Sequence, residues 1–470
     1  PRSTLFPYTT LFRSGAIARS YNLSSRTVSD TLPALESSCG PLAMADYDHD
    51  GDLDLFVGGR VIPGRYPEPA SSRLFRNENG RWQPDTKNNP ALERCGLVSG
   101  AVWSDLDGDG WPELILACEW GPIRIFQNQK GKLSEITRER GLANAIGWWN
   151  GVTTADLDGD GRQDIIASNW GLNTGYQASP DRPLPLYFGE LDQPGVVHLL
   201  ETAFAPELGQ YVPVRSLNAL GQAFPPLLER FPTHQAFSTA GIKDILPLFT
   251  STPAKTEITT LATTIFLNRD RHFEARPLPT MAQLAPAFAI AVADWDGDGH
   301  EDIFLSQNFF ALRPELPRYD AGRGLLLRGN GTGAFDPVPG QLSGIAIYGE
   351  QRGAAVGDFN ADGRPDLVVT QNGAATRLYR NRHAQPGLRV RLHGPPNNPN
   401  AIGAIIRLQF GQRLGPAREI HGGGGYWSLD SAVQVMARPE PPTRIWVRWP
   451  GGTEQFYPVD PKLPEVVLAQ

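Results

Sequence analysis

One acidic nonapeptide recurs five times along the chain and constrains its fold more than any other feature. Its form is D-x-D-x-D-G-x-x-D/E, and each copy runs directly into a short aliphatic segment. Oxygen-bearing side chains at positions 1, 3, 5 and 9, with the main-chain carbonyl of position 7, can surround a hard cation that takes about six to eight oxygen ligands. The copies, called loops 1 to 5 in chain order, cover residues 46–54, 105–113, 156–164, 294–302 and 358–366.

This pattern predicts one Ca²⁺ cage in each loop, about five ions in all. Glycine at position 6 allows the sharp turn that brings the ligands together. Loop 5 has Asn360 where the other loops have Asp, and an amide oxygen can still ligate. The predicted ligands, with position 7 supplying its carbonyl, are Asp46, Asp48, Asp50, Asp52, Asp54, Asp105, Asp107, Asp109, Trp111, Glu113, Asp156, Asp158, Asp160, Arg162, Asp164, Asp294, Asp296, Asp298, His300, Asp302, Asp358, Asn360, Asp362, Arg364 and Asp366.

These loops are not EF-hands. An EF-hand needs a bidentate Glu at position 12 and a helix after it. The chain continues instead as an aliphatic strand, and its residues at position 12 are Val57, Leu116, Ala167, Leu305 and Val369. The alternative to a metal site is that turns rich in Asp and Gly cap β-hairpins without any ion.

The spacing of the loops predicts a β-propeller. Their first residues lie at 46, 105, 156, 294 and 358, so the steps are 59, 51, 138 and 64 residues. A step of about 50–65 residues suits one four-stranded blade. The long step contains residues 190–198, which match positions 1, 3, 6 and 9 but carry Pro194 at position 5, and they are interpreted as a decayed blade without metal. The predicted fold is therefore all-β, a propeller with six visible blades and seven when intact.

Two further segments depart from the repeat. Between residues 205 and 257, apolar residues recur at helical spacing around two prolines, which predicts two or three short helices inserted into the decayed blade. From residue 387 the acidic loops stop and alternating strands follow, so a separate small β domain is expected over 387–470 and the propeller over 15–385. Between the C-terminal strands, His421 precedes four glycines, and we predict a flexible turn there rather than a ligand site.

The loops resemble those of FG-GAP/VCBS repeats, which occur in integrin α chains and in many secreted bacterial proteins. The C-terminal segment resembles the ASPIC/UnbV domain through residues 400–404, 422–428 and 447–452. A chain that combines the two is similar to the cartilage acidic protein family. The resemblance implies a calcium-binding β-propeller outside the cytoplasm, with no established enzymatic activity.

Composition narrows the choice of partner and compartment only slightly. The net charge is −7, much of it in the loops, which disfavours nucleic acid as a partner. No apolar stretch approaches the length of a transmembrane helix. Three cysteines allow at most one disulfide and indicate no compartment. Residues 1–14 resemble a translated sequencing adapter, so they are excluded from the predicted fold, and the missing signal peptide carries no weight.

No catalytic constellation is visible in the sequence. The chain has no H-E-x-x-H pair and no G-x-S-x-G elbow, and its paired carboxylates lie in loops that cation binding already explains. We therefore predict a non-enzymatic scaffold for recognition or adhesion that is secreted, periplasmic or on the cell surface, with a protein or glycan ligand. The alternative is an enzyme or accessory protein that acts on carbohydrate or in natural-product biosynthesis. A self-associating component of a surface layer is a third possibility.

Overall fold

The computed structural model describes residues 19–22, 25–30, 32–33, 35–190, 195–249, 252–312 and 317–470. The predicted adapter segment, residues 1–14, lies outside this part of the chain. The expected all-β class is confirmed, because antiparallel strands dominate and every described helix is short. None of these helices has the length and apolar character needed to cross a membrane.

Five antiparallel sheets form the propeller blades, and each sheet contains one of the five loops. The loop joins the first strand to the second in a constant register, because the residue before position 1 always pairs with position 9. The strands of blade 1 are Ser38–Ala45, Asp54–Val61, Arg73–Glu78 and Arg81–Pro84, and those of blade 2 are Leu97–Ser104, Glu113–Gly121, Arg124–Asn128 and Leu133–Glu135, with Gly147–Trp148 at the edge. The strands of blade 3 are Gly151–Ala155, Asp164–Ser168, Thr264–Asn268 and Phe273–Pro277, and those of blade 4 are Ala287–Ala293, Asp302–Gln307, Leu325–Gly329 and Phe335–Val338. The strands of blade 5 are Glu350–Gly357, Asp366–Asn372 and Ala374–Tyr379. Ahead of them, Arg19–Asn22 and Thr27–Asp30 form a separate hairpin.

The hydrophobic core lies between successive blades. Four buried clusters fill the spaces between blades 1 and 2, 2 and 3, 3 and 4, and 4 and 5. The second strands are continuous apolar runs, such as Ile165 and Ile166, because neighbouring sheets cover both of their faces. The first strands of successive blades pack side by side along the centre. Gly100 permits this approach, because a Cβ there would come within 2.8 Å of the Val152 nitrogen.

The predicted decayed blade needs a correction. A four-stranded sheet is present in the long step, but in the chain it is inserted between the second and third strands of blade 3. The first strands of blades 3 and 4 contact each other directly, so no blade separates them. The spacing of the loops could not distinguish an inserted sheet from an additional blade, because each adds residues between two loops. The strands of the inserted sheet are Leu184–Gly189, His198–Ala205, Gln210–Pro213 and Ala254–Ile258.

Short helices are present where predicted, within this inserted sheet, but the described residues form four α-helices instead of two or three. Their apolar side chains, including Leu220, Phe224 and Leu227, form a buried cluster with Leu200 of the sheet. Short helices of this kind suit a segment that two prolines interrupt. The helices are Leu217–Ala223, Pro226–Arg230, His234–Ser238 and Ile242–Ile245, followed by a 3-10 turn at Leu246–Leu248.

Residues 388–469 form two sheets around a core of their own, and we call them the C-terminal unit. The predicted domain boundary near residue 386 stays a prediction. The first sheet contains Leu388–His393, Gln434–Met436 and Glu465–Ala469. The second contains Ile405–Phe410, Arg413–Leu414, Arg418–Glu419, Arg444–Arg448 and Glu454–Pro458.

The glycine-rich segment of the C-terminal unit lies along the centre of the propeller and is not the free turn that we predicted. The amides of Met44 in blade 1 and Val152 in blade 3 donate to the carbonyls of Gly422 and Gly425, each at 3.0 Å. A Cβ at Gly422 would come within 2.3 Å of the Met44 oxygen, and one at Gly425 within 2.8 Å of the Ile290 oxygen in blade 4. The run of glycines is therefore explained by close main-chain packing.

The residues after the glycines extend this contact to the remaining two blades. Trp427 donates its indole N–H to the Ser99 carbonyl of blade 2 at 3.0 Å. Asp430 and Ser431 bond the main chain of Val356 in blade 5, at 2.7 and 2.9 Å. The first strands of all five blades thus contact one segment of the C-terminal unit.

Candidate metal-binding loops

All five loops share one backbone conformation. In each loop, the position-1 Asp accepts a hydrogen bond from the amide of the position-6 glycine, at 2.7–3.2 Å. In each loop, the carboxylate at position 5 also accepts from the amide of position 7, at 2.8–3.1 Å. These two bonds wind the chain around a single point, where the side chains of positions 1 and 3 meet a third carboxylate in loops 1 to 4.

Left-handed backbone conformations make this winding possible. The position-6 glycine has φ between +78° and +94° in all five loops, as the turn required. Position 4 is left-handed too, and it is occupied by His49 and Ala361 in loops 1 and 5 and by glycine in the other three. We did not predict this requirement from the sequence, although the D-G-D-G spacing of loops 2 to 4 indicates it.

Position 9 has a structural role in addition to the predicted one. Its carboxylate accepts an amide hydrogen bond from the third strand of the blade in every loop, at 2.7–3.3 Å. In loops 2 to 5 its second oxygen also accepts the amide of position 2, at 2.9–3.1 Å. The residue that the sequence offered as a ligand therefore also ties the loop to the sheet.

Four of the loops bring three acidic side chains to one point. In each set the potential ligand atoms lie within 4.8 Å of one another. A separation of this size suits oxygens that share a single Ca²⁺ ion. The sets are Asp46, Asp48 and Asp50; Asp105, Asp107 and Glu113; Asp156, Asp158 and Asp164; and Asp294, Asp296 and Asp302.

Several carboxylate oxygens of loops 1 and 3 are buried and have no hydrogen-bond donor among the described residues. They are Oδ1 of Asp46, Asp156 and Asp158 and Oδ2 of Asp54. Asp54 and Asp156 are each only 1% exposed. A buried carboxylate oxygen without a partner is costly, and a hard cation is the partner that this chemistry accepts. The loops thus fit the ion that the sequence predicted.

Burial also raises the pKa values of these carboxyl groups when no ion compensates them. Desolvation, followed by the charges of Asp50 and Asp48, raises the pKa of Asp46 to about 7. Desolvation likewise raises the pKa of Asp156 to about 7 and that of Asp164 to about 8. The pKa of Asp105 rises only to about 6, because the Arg448 charge opposes its desolvation. Ionising these groups is unfavourable until a positive charge is nearby.

Among the described ion pairs, loop 5 has the most arginines on its carboxylates, three in all. Its position-1 residue, Asp358, is paired with Arg389 of the C-terminal unit. Its position-5 residue, Asp362, is paired with both Arg364 and Arg380, at 3.3 and 3.0 Å. Although burial opposes it, the hydrogen bond from Asn360 together with these arginines lowers the pKa of Asp362.

The side chains at position 7 point to other partners, which is consistent with a role for their carbonyls alone. Trp111 stacks on His49 of the neighbouring loop with ring centroids 3.6 Å apart. Arg162 and Arg364 donate from Nε to main-chain carbonyls, at 3.1 and 2.6 Å. Asp52 accepts a hydrogen bond from the Asn397 amide of the C-terminal unit.

An asparagine at the end of the third strand links each of three loops to the next blade. Asn128, Asn268 and Asn381 donate from Nδ2 to the position-2 carbonyl of the preceding loop, at 2.7–2.8 Å. Between blades 3 and 4 the Gly333 amide makes the equivalent contact to Leu157, at 3.2 Å. The sequence showed that this asparagine recurs, and only the structure shows that it joins the loops into a chain of contacts.

The predicted decayed copy is only partly described. Glu190, at its first position, pairs with Arg65 of blade 1 at 2.9 Å. Asp192 and Pro194 lie outside the described residues, and His198 begins the second strand of the inserted sheet. The expectation that this copy holds no metal stays a prediction.

Comparisons with known proteins identify the repeats. The FG-GAP-like repeat family matches residues 46–116 and 105–167, and the FG-GAP repeat matches residues 352–379. These segments contain loops 1, 2, 3 and 5.

Relatives extend the same conclusion along the chain. Integrin alpha-4 of Xenopus laevis is 30% identical over 168 residues, which cover 32% of this chain and 15% of the relative. Cartilage acidic protein 1 of Mus musculus is 22% identical over 347 residues, which cover 71% of this chain and 49% of the relative. The chain thus spans about half the length of one relative and much less of the other.

Among solved structures, the Vibrio cholerae biofilm matrix protein Bap1 matches with a TM-score of 0.29 and 11% identity, over 96% of this chain and 62% of that one. A rhamnogalacturonan lyase of Bacillus licheniformis matches with a TM-score of 0.31 and 10% identity, over 93% and 75%. Likenesses at this level carry no argument about function. The matches show that this chain contains FG-GAP repeats and that parts of it are similar to integrin alpha-4 and to cartilage acidic protein 1.

Proposed function

We propose that this chain is a non-enzymatic, calcium-binding β-propeller that acts outside the cytoplasm as a scaffold for recognition or adhesion. The observation that carries the proposal is the set of buried carboxylate oxygens without donors, above all those of Asp54 and Asp156. A Ca²⁺ ion in the loops supplies the missing positive charge and replaces repulsion between carboxylates by coordination. The ASPIC/UnbV character of the C-terminal unit belongs to the same proposal.

The loops are expected to bind with different strength. Loops 1 to 4 each gather three acidic side chains, and we propose that they take one ion each. Loop 5 is already balanced by arginines and is expected to bind more weakly. Open loops of this type have dissociation constants of about 10⁻⁴–10⁻³ M, which suits calcium levels outside the cell. Kinship with integrin alpha-4 and cartilage acidic protein 1 supports the same location and a role other than catalysis.

The ligand is expected on the face of the propeller opposite the loops. The C-terminal unit contacts the loop face, and the inserted sheet contacts blades 1 and 2 through Arg65 and Trp120. The remaining blade ends opposite the loops are therefore the accessible ones. Trp427 lies among those ends, is 53% exposed and is held by its hydrogen bond to Ser99. A fixed aromatic surface suits either a protein or a glycan ligand.

Calcium titration of the full chain by calorimetry, with thermal melts in calcium and in chelator, tests the proposal. We expect about four ions with moderate affinity, a weaker fifth, and a melting temperature that rises with calcium. Asp156→Asn should remove one ion, whereas the matched change Asp181→Asn, at an exposed turn residue outside the loops, should remove none. Magnesium should bind more weakly, because it demands near-ideal octahedral geometry and gives up its water ligands reluctantly.

Recognition is tested separately on a glycan array and a panel of extracellular matrix proteins. Binding that is lost in Trp427→Ala and kept in Asp181→Asn would support the proposed face. If calorimetry shows no calcium binding and the melt does not change, the acidic loops are only turns and the proposal is wrong.

A further inference from the structure

The C-terminal unit contacts all five loops, and in four of them an arginine makes the contact. The position-6 glycines show how close this approach is. A Cβ on Gly110 would come within 3.0 Å of Gly452, and one on Gly299 within 3.1 Å of Pro439. A Cβ on Gly51, in loop 1, would have no neighbouring atom of the described residues within 4 Å. Loops 2 to 5 therefore face the unit closely, while loop 1 lies at its margin.

In loops 2 and 5 the arginine pairs with the position-1 carboxylate. Arg448 lies 2.5 Å from Asp105 Oδ2 and donates to the Gly108 carbonyl at 2.9 Å. Arg389 pairs with Asp358 in the same way. Both pairs are largely shielded from water, because the side chains of Arg448 and Arg389 are only 13% and 10% exposed. Charges in such positions are screened little by salt.

In loops 3 and 4 an arginine lies beside the cage. The guanidinium of Arg407 rests on Gly161, where a Cβ would come within 2.3 Å of its Nη1 atom. Arg418 forms a bidentate pair with Glu301, at position 8 of loop 4, at 2.6 and 2.7 Å. Each of the loops 2 to 5 thus has one arginine of the C-terminal unit as a neighbour.

Loop 1 has a neutral neighbour instead. Asn397 donates its amide to Asp52, and this is the contact of the unit with that loop. Arg76, from the third strand of blade 1, is 42% exposed and pairs with Glu78, so water screens its charge. Loop 1 therefore keeps the most uncompensated negative charge.

We propose that the arginines of the C-terminal unit are built-in counter-ions that grade the calcium affinity of the loops. In loops 2 and 5 the arginine neutralises a position-1 carboxylate that the ion also needs, and in all four loops the arginine repels the ion directly. Loop 1 is then the tightest site, and Arg448 weakens loop 2 by about tenfold. By reciprocity, calcium in loops 2 to 5 weakens the ion pairs that hold the unit on the propeller. The inference rests on the proposed calcium binding and names what regulates it.

Terbium luminescence on the full chain can test loop 2 by itself. Trp111 is at position 7 of that loop and is a nearby donor of excitation energy. Because Trp111 also stacks on His49 of loop 1, the measurement is made in the Asp46→Asn background, which removes the loop 1 ion. The part of the signal that Trp111→Phe abolishes there belongs to loop 2, and calcium competition then gives its affinity. Arg448→Gln should raise this affinity by about tenfold, whereas Arg448→Lys, which keeps the charge, should leave it near the wild-type value. The matched control is Arg444→Gln on the same strand, whose exposed side chain lies over Phe456 and should change nothing.

The outcomes distinguish a failure of this inference from a failure of the proposed calcium binding. A wild-type chain that binds no terbium overturns both. Binding in the wild type with unchanged affinity in Arg448→Gln overturns the counter-ion role alone. Lower affinity in Arg448→Gln would mean that the arginine positions Asp105 for the ion, and this too overturns it. A melt of each variant in chelator verifies that the chain remains folded.

Discussion

Loops 1 and 5 have the same backbone but opposite charge balance. Loop 1 contains five aspartates and no arginine within its nine residues, whereas loop 5 contains three aspartates and one arginine. Arg380 and Arg389 add two more positive charges to loop 5 from outside it. In loop 1, by contrast, Asp46 and Asp54 each keep a buried oxygen without a donor. The shared motif therefore specifies the shape of the loop, and the surroundings decide how strongly it needs an ion.

Replacement of Asp358 by Ala should have the largest effect. The change leaves Arg389 buried without its main partner, which costs about 3 kcal/mol of unfolding free energy. Because loop 5 is expected to bind calcium only weakly, the loss should be similar in calcium and in chelator. Urea unfolding in both conditions measures it. A loss seen only with calcium would mean that loop 5 is a metal site like loop 1.

Replacement of Asp46 by Asn should have a smaller effect that depends on calcium. An ion bound with a dissociation constant of about 10⁻⁴ M stabilises the fold by about 1.4 kcal/mol at 1 mM calcium. Asp46→Asn should lose this amount, and calorimetry should find one ion fewer. In chelator the variant should be at least as stable as the wild type, because a costly buried charge is gone. Equal losses in the two conditions would contradict the distinction between the loops.

The two loops should also respond to pH with opposite sign. Burial raises the pKa of Asp54 to about 8, so without ion the native chain holds a proton that the unfolded chain releases near pH 4. The unfolding free energy of the ion-free protein therefore falls as pH rises from about 4 to about 8. Asp362, whose pKa is lowered, contributes stability that is present above its unfolded pKa and lost at lower pH.

Variants at these two positions make the opposite signs measurable. Asp54→Asn should flatten the decline between about pH 4 and 8 in chelator, whereas Asp362→Asn should remove a rise in stability with pH that lies below about pH 4. Thermal melts between about pH 3 and 8, with and without calcium, measure both slopes. Bound calcium should flatten the decline in the wild type as well, and identical slopes for the two variants would contradict the assignment.

The smallest effect is expected from Arg380→Gln. Arg380 is 54% exposed, so its pair with Asp362 contributes little to stability. Its removal should nevertheless make loop 5 more like loop 1, with a modest gain in calcium affinity at the weak site and no change in the melt in chelator. Calorimetry at high calcium measures this gain. No gain would indicate that Arg389 alone keeps loop 5 balanced.

Much of the fold could be read from local patterns. The all-β class, the FG-GAP repeats and the insert of short helices followed from spacing and from the residues of each loop. The position of the inserted sheet did not, because the chain leaves blade 3 after Ser168 and returns at Thr264. No residue near either point signals that the strand ending at Ser168 pairs with the strand beginning at Thr264.

The glycine-rich segment shows the same limit. Its composition is that of a flexible turn, and flexibility was the prediction. Its glycines are instead required by contacts with Met44 and Ile290, which are far away in the chain. The composition shows that the segment has few side chains, but it does not show which residues pack against its main chain.

The sequence by itself determined the shape of each loop, because the bonds that wind it join residues no more than five positions apart. The tertiary structure decided which charges face those loops, because these partners lie far away in the chain, as Arg448 and Gly108 do at 340 positions apart. Short-range hydrogen bonds are fixed by residue types at fixed spacing. Long-range ion pairs depend on how the C-terminal unit sits on the propeller, and no local pattern encodes that arrangement.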